Sequence, residues 1–208
     1  MKAVFFDFDG VLSTDRFYST LVTQYPKVCE YKDNVIFRGQ EKFGDRWMRG
    51  EFTYKQINQM IADATGVPFE IINNMFIESV RSFQLEKELL SYIKELREMG
   101  IPVALVTNNM DIFNEVTVPT HRLDEVFSVI INSSDYGAMK HEQQGKLFDI
   151  AREQLGLKSL EDVLLIDDSE KACDMFESMG GTVHRFKGME GFREWKSSEA
   201  SLTSTQRS

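Results

Sequence analysis

Ala3-Val4-Phe5-Phe6-Asp7-Phe8-Asp9-Gly10-Val11 is the stretch on which the rest of the chain turns. Its first four residues are apolar without alternation, which suits a parallel strand covered on both faces. The run ends abruptly in two acids and a glycine. Three later stretches have the same apolar character: residues 103–106, 126–131 and 163–166. A weaker one spans residues 182–186. Between them, Leu85, Leu89, Leu90, Ile93 and Leu96 recur at helical spacing and stop at Gly100-Ile101-Pro102. Residues 146–155 repeat the pattern and stop at Gly156, and residues 169–179 start on a Ser169 cap and stop at Gly180-Gly181. Strand and helix therefore alternate from residue 85 onward. That rhythm predicts an α/β protein with an open parallel sheet and helices on both faces.

Residues 14–83 break the rhythm and show no clear strand. Thr53-Tyr54-Lys55-Gln56 reads as a capping box opening a helix to about Thr65. Pro68 suits the first turn of a second helix, to which Phe69, Ile72, Met75, Phe76 and Val80 give an apolar face. The expected layout is a core of residues 1–13 and 84–196 with a helical insertion at 14–83. Residues 197–208, rich in Ser and Thr, are expected to form a disordered tail. Phe17, Tyr18, Tyr25, Tyr31 and Phe37 are read as the core of the insertion.

The chain has 208 residues and a net charge of -9, which argues against a nucleic-acid binder and against docking on an anionic membrane surface. An acidic protein that binds phosphate must concentrate positive charge locally, as a metal or a placed lysine. Cys29 and Cys173 suggest neither a disulfide framework nor a zinc site. Asp7 and Asp9 interrupt the first apolar run too early for a signal peptide, and no stretch is long and apolar enough to span a bilayer. A cytoplasmic location is the default expectation.

In open α/β sheets, ligands bind beyond the carboxyl ends of the strands. Asp7 and Asp9 belong at that edge. Two buried carboxylates are costly together unless a cation offsets them, and a hard ion such as Mg2+ does so with oxygen ligands. Alone, Asp-x-Asp-Gly reads equally well as an exposed turn. The other strand ends decide between the two. Strand two ends in Thr107-Asn108-Asn109, which offers a hydroxyl, amides and backbone N–H groups to an anion. Strand four ends in Asp167-Asp168-Ser169, and Tyr136-Gly137-Ala138-Met139-Lys140 brings an ammonium to the same edge.

These four elements, in this order, resemble the haloacid dehalogenase superfamily. They match its Asp-x-Asp-Gly-Val/Thr signature, its Ser/Thr after strand two, its Gly-x-x-Lys and its acidic pair. The resemblance implies a Rossmann-like core with an inserted helical cap. It implies that Asp7 attacks phosphorus and that Asp9 protonates the leaving oxygen and then deprotonates water. Thr107 and Lys140, with Asn108 beside them, would bind the phosphoryl group. Mg2+ would sit among the Asp7 carboxylate, the Asp9 backbone carbonyl and Asp168, with Asp167 in support; the split between the adjacent acids stays open. The implied activity is hydrolysis of a small phosphorylated metabolite through an aspartyl-phosphate on Asp7.

Asp9 favours phosphate over a carbon–halogen bond, because halide leaves without a proton. Mutase relatives tend to carry a His early in the linker into the cap, and residues 13–19 contain none. A non-catalytic module on this fold would predict loss of the acids, and all are present. Where many relatives have Pro after the lysine, this chain has His141, read as a solvated loop residue. Trp47 and Arg49 have two open readings: contacts to the leaving group, or a core Trp and a surface Arg. The insertion is expected to move against the core as a unit.

Overall fold

The computed structural model describes residues 1–205, with side chains described to residue 198. Five parallel strands, β1 (Ala3–Phe6), β2 (Val103–Thr107), β3 (Val129–Asn132), β4 (Val163–Asp167) and β5 (Thr182–Arg185), form one sheet in the order β3-β2-β1-β4-β5. The chain builds outward from β1 to β3, then crosses to the other side of β1 for β4 and β5. This reversal beside β1 is where open sheets of this kind form a crevice.

Alternate residues of each strand enter two different cores. Val4, Phe6, Leu105, Leu164 and Ile166 face one side. Ala3, Phe5, Ala104, Val106, Val163 and Leu165 face the other. Both sides are apolar, which is why these strands read as continuous runs.

Eleven α-helices surround the sheet among the described residues. Four lie in the insertion: α1 (Pro26–Tyr31), α2 (Phe43–Met48), α3 (Tyr54–Thr65) and α4 (Phe69–Arg81). The rest are α5 (Lys87–Glu98), the short α6 (Val118–His121), α7 (Leu123–Val126) and α8 (Ser133–Tyr136), then α9 (Lys146–Gln154), α10 (Glu170–Ser178) and α11 (Met189–Thr205). A π-helical turn, Lys32–Phe37, follows α1. Helix α3 opens on the expected capping box, with Thr53 accepting from Gln56 N and the Gln56 side chain accepting from Thr53 N. Ser169 caps α10 through Ala172 N.

Three local expectations are corrected. Pro68 stands at the N-cap of α4, one residue ahead of its first turn. The third strand begins at Val129, because Leu123–Val126 coils into α7 after Arg122 adopts a left-handed backbone, φ 51°. Residues 197–205 continue α11, where a disordered tail was expected, and residues 206–208 lie outside those described. Helix α11 is anchored upstream. Phe192 is buried, Trp195 stacks beside His184 at 4.5 Å between ring centres, and Arg193 and Lys196 pair with Glu88 and Glu95 of α5. Once those turns are fixed, each further residue extends an existing helix, which costs far less than nucleating one.

Candidate active site

Asp7 follows β1 directly, and its backbone N–H donates to Ile166 O at 3.0 Å. Its side chain is almost wholly buried. Oδ1 accepts from Phe8 N at 2.7 Å and Oδ2 lies 2.6 Å from Lys140 Nζ. The same ammonium reaches Asp167 Oδ2, also at 2.6 Å. Lys140 is buried too, and its backbone N–H donates to Asn108 Oδ1 at 2.8 Å. The loop after α8 is therefore tied to the end of β2.

Asp167 ends β4, with its second oxygen accepting from Ser169 N at 2.9 Å. Asp168 follows it, exposed at the rim. Each of Asp7, Asp167 and Asp168 places a carboxylate oxygen within 4.8 Å of the others. Gly10 makes this approach possible. It has φ +83°, and a Cβ there would lie 2.2 Å from Asp168 Oδ2.

Asp9 points elsewhere: its Oδ2 accepts from Asn109 Nδ2 at 2.8 Å. Burial, and next the charge of Asp7, push its carboxyl up to about 7. Burial followed by Asp7 also raises Asp167 and Asp168 above the usual carboxylate range. For Lys140, burial works to lower the pKa, but Asp7 and Asp167 outweigh it and hold the ammonium above its ordinary range. Lys140 is thus charged, and it is the one buried cation among four acids, with Arg16 acting on Asp9 and Asp168 from the exposed side. Three carboxylates converging with too little positive charge are an oxygen-only donor set that fits a hard divalent cation. Thr107 Oγ1 is buried at the end of β2 with no hydrogen-bond partner. A buried hydroxyl without a partner is costly and points to a ligand that supplies one.

A cleft of about 430 Å3 opens over this edge, lined by Asp9, Asn108 and Met110 from the core and by residues 15–17, Lys32, Asp33, Phe37, Arg38 and Met48 from the insertion. A larger hollow, about 540 Å3, lies between α5 and Val126 but holds none of the four acids.

A family model described as haloacid dehalogenase-like hydrolase matches residues 1–180. The chain belongs to that family of hydrolases. No curated protein matches. Among solved structures, a HAD family enzyme from Bacteroides thetaiotaomicron, in complex with magnesium and inorganic phosphate, is similar over 90% of this chain and 94% of that one, at 19% identity and a TM-score of 0.64. A predicted HAD-like family hydrolase from Porphyromonas gingivalis is 17% identical, with 88% and 90% covered and a TM-score of 0.61. The L-2-haloacid dehalogenase from Xanthobacter autotrophicus, with chloropropionic acid covalently bound, is 17% identical, with 91% and 78% covered and a TM-score of 0.65.

In this hydrolase, Asp7, Asp9, Thr107, Asn108, Lys140, Asp167 and Asp168 all gather at one sheet edge. Trp47 does not face the cleft. It is fully buried, and its Nε1 donates to Asp111 Oδ1 at 2.8 Å. Arg49 is engaged with Glu142, Nε to Oε2 at 2.9 Å. Phe17 and Phe37 border the cleft, whereas Tyr18 is buried in the insertion. Asn109, read from the sequence as offering an amide to an anion, instead holds Asp9, and Asp111, which the sequence did not mark, accepts both Trp47 Nε1 and the free N–H of Tyr54 at the start of α3. Their partners lie 57–100 residues away, so no local spacing marks them.

Proposed function

We propose that this hydrolase is a Mg2+-dependent phosphatase of small phosphate monoesters, working through an aspartyl-phosphate on Asp7. The observation that carries the reading is Asp9, a carboxyl that lines the cleft two residues beyond Asp7, held in place by Asn109 Nδ2 at 2.8 Å and raised by burial toward holding a proton. The Asp7 carboxylate attacks phosphorus as the bond to the ester oxygen breaks. Asp9 gives its proton to that oxygen, so the leaving group departs as an alcohol. Water then attacks phosphorus, Asp9 takes its proton, and the bond to Asp7 breaks to free phosphate. Lys140 and Thr107 Oγ1 are suited to the phosphoryl oxygens. A halide would need no proton, so the dehalogenase alternative leaves Asp9 without work.

Asp7, Asp167 and Asp168 would hold Mg2+, with the Asp9 carbonyl implied by the family pattern. Its charge would offset the crowded acids and the developing phosphoryl charge. No helix among the described residues is long and apolar enough to cross a membrane. The free Cys29 and Cys173 are consistent with a reducing, cytoplasmic setting.

The test is phosphate release from simple esters with Mg2+ and with excess chelator, using wild type, Asp7→Asn and Asp9→Asn. Wild type should turn over only with the metal, and Asp7→Asn should be inactive. Asp9→Asn, given an aryl phosphate whose leaving group needs no proton, should release one equivalent and stall with a phosphoryl group visible in the intact mass. Full turnover by Asp7→Asn, or undiminished turnover in chelator, would overturn the proposal.

A further inference from the structure

The insertion lines the cleft with three basic side chains, Arg16, Lys32 and Arg38, beside two acids, Asp15 and Asp33. Arg16, just after the β1 loop, and Arg38, just after the π-helical turn, line the same cleft as Asp9 and Asn108. Both are exposed. Among the described residues, neither guanidinium has an ion pair or a side-chain hydrogen bond, and Arg81 alone shares that condition. The other described arginines are engaged: Arg46 with Glu51, Arg49 with Glu142, Arg122 with Glu125, Arg152 with Asp149, Arg185 with Asp174, Arg193 with Glu88, and Arg97 with Glu125 O. With a net charge of -9, carboxylates are plentiful, yet two of the three arginines without an ion pair or side-chain hydrogen bond among the described residues face one small cleft.

None of the cleft's acids forms an ion pair with either guanidinium, although the charge of Arg16 acts on Asp9 and Asp168 and works to lower both carboxyls. Asp33 pairs with Lys32 at 3.0 Å. Asp15 accepts from Gln84 N at 2.6 Å. Asp9 is held by Asn109. The phosphate end already has Lys140, buried between two acids, and the orphaned Thr107 hydroxyl. Arg38 comes from the far end of the Lys32–Phe37 turn, among Phe37 and Met48, which are apolar wall. Planar guanidinium groups bind carboxylate and phosphate in two-point fashion.

We propose that the preferred substrates are phosphate monoesters carrying a second anionic group, a carboxylate or another phosphate, which Arg38 binds from the insertion side of the cleft, with Arg16 joining it from the side nearer Asp9 and Asp168. This rests on the phosphatase reading and adds the substrate class. The apolar wall would cover the carbon chain between the two anions.

The test compares kcat/KM with Mg2+ for matched pairs: 3-phosphoglycerate against glycerol 3-phosphate for a carboxylate, and fructose 1,6-bisphosphate against fructose 6-phosphate for a phosphate. Wild type, Arg38→Gln, Arg16→Gln and Arg38→Lys are measured. Wild type should favour the member that carries the second anionic group in at least one pair, and which pair identifies that group. Arg38→Gln should cut that preference about tenfold or more, chiefly through KM, as expected for losing a charge-assisted hydrogen bond. Arg38→Lys should recover part of it. If wild type hydrolyses the esters without preference, or if the ratio in Arg38→Gln and Arg16→Gln stays within about twofold of wild type, the inference fails and the phosphatase reading stands. A uniform loss across all four esters would also overturn it, because the arginines would then serve the scissile phosphate. No hydrolysis of any ester would sink both.

Discussion

Thr107 shows how a single side chain separates stability from activity. Its hydroxyl is fully buried and has no hydrogen-bond partner among the described residues, so it carries a desolvation cost that they do not repay. Thr107→Val removes the hydroxyl while keeping the branched shape that a strand prefers. We expect the variant to be as stable as wild type or more stable, by up to about 1 kcal/mol, in a denaturant titration. We expect its kcat/KM for phosphate esters to fall about tenfold or more, because the phosphoryl oxygen loses a donor. A clear loss of stability would mean that the hydroxyl has a partner inside the fold, and unchanged kinetics would remove it from the site. Lys140 is the opposite case. It is buried, fully engaged with Asp7 and Asp167, and cannot be altered without exposing both acids to an uncompensated interior.

Among elements, the loop carrying Lys140 is joined to the insertion by Glu142, which accepts from Arg49 and from Met139 N. The hydrogen bond from Arg49 chiefly holds the Glu142 carboxyl down to about 2, from an ordinary 4.5, and burial opposes it. A depressed carboxyl stabilises the fold above its unfolded value and loses that contribution as pH falls through the folded one. Glu142→Gln should therefore lower Tm at neutral pH by a few degrees, consistent with about 1 kcal/mol for a half-buried two-point pair. The gap from wild type should close between about pH 4.5 and pH 2. A gap that stays constant over that window would show that the pair contributes nothing. This link could not be read from sequence, because 93 residues separate its members. What was legible is local: the β1 run, the Thr53–Gln56 capping box, the Ser169 cap and the acids at strand ends. Helices α1, α2 and α11 carry weak patterns of their own and are held by distant partners. Tyr92, for example, meets Phe192 and Trp195 edge-on at 5.4 and 6.3 Å. Trp47 had two readings because its buried position depends on Asp111, which only the fold brings near.

At the scale of the whole molecule, the insertion and the sheet share one interior. The buried cluster that contains Val4, Phe6, Leu105 and Ile166 of the strands runs without interruption into Tyr18, Trp47, Ile57, Ile72 and Phe76 of the insertion. Phe8, between Asp7 and Asp9, packs on Phe113 at 4.9 Å and on Phe83 at 6.4 Å, where the chain returns from the insertion. The two crossings are themselves joined by Glu86 N to Leu12 O at 2.9 Å. On the other border, Gly50 packs so tightly that a Cβ would lie 2.2 Å from Ser134 O. A shared core couples the two parts energetically, so neither should melt alone. We expect one calorimetric transition, with calorimetric and van't Hoff enthalpies in agreement. Phe76→Ala makes the test sharper. Phe76 touches the rings of Phe17, Tyr18, Trp47 and Tyr54, all in the insertion, at centroid distances of 4.4–6.0 Å. Its removal should cost about 3–5 kcal/mol. If the interior is one unit, the whole transition moves to lower temperature and stays single. If the insertion were an independent domain, only part of the heat absorption would move, leaving a second peak at the wild-type temperature. That outcome would show that residues 14–83 fold on their own, and that the continuous apolar contact with the sheet does not couple the two.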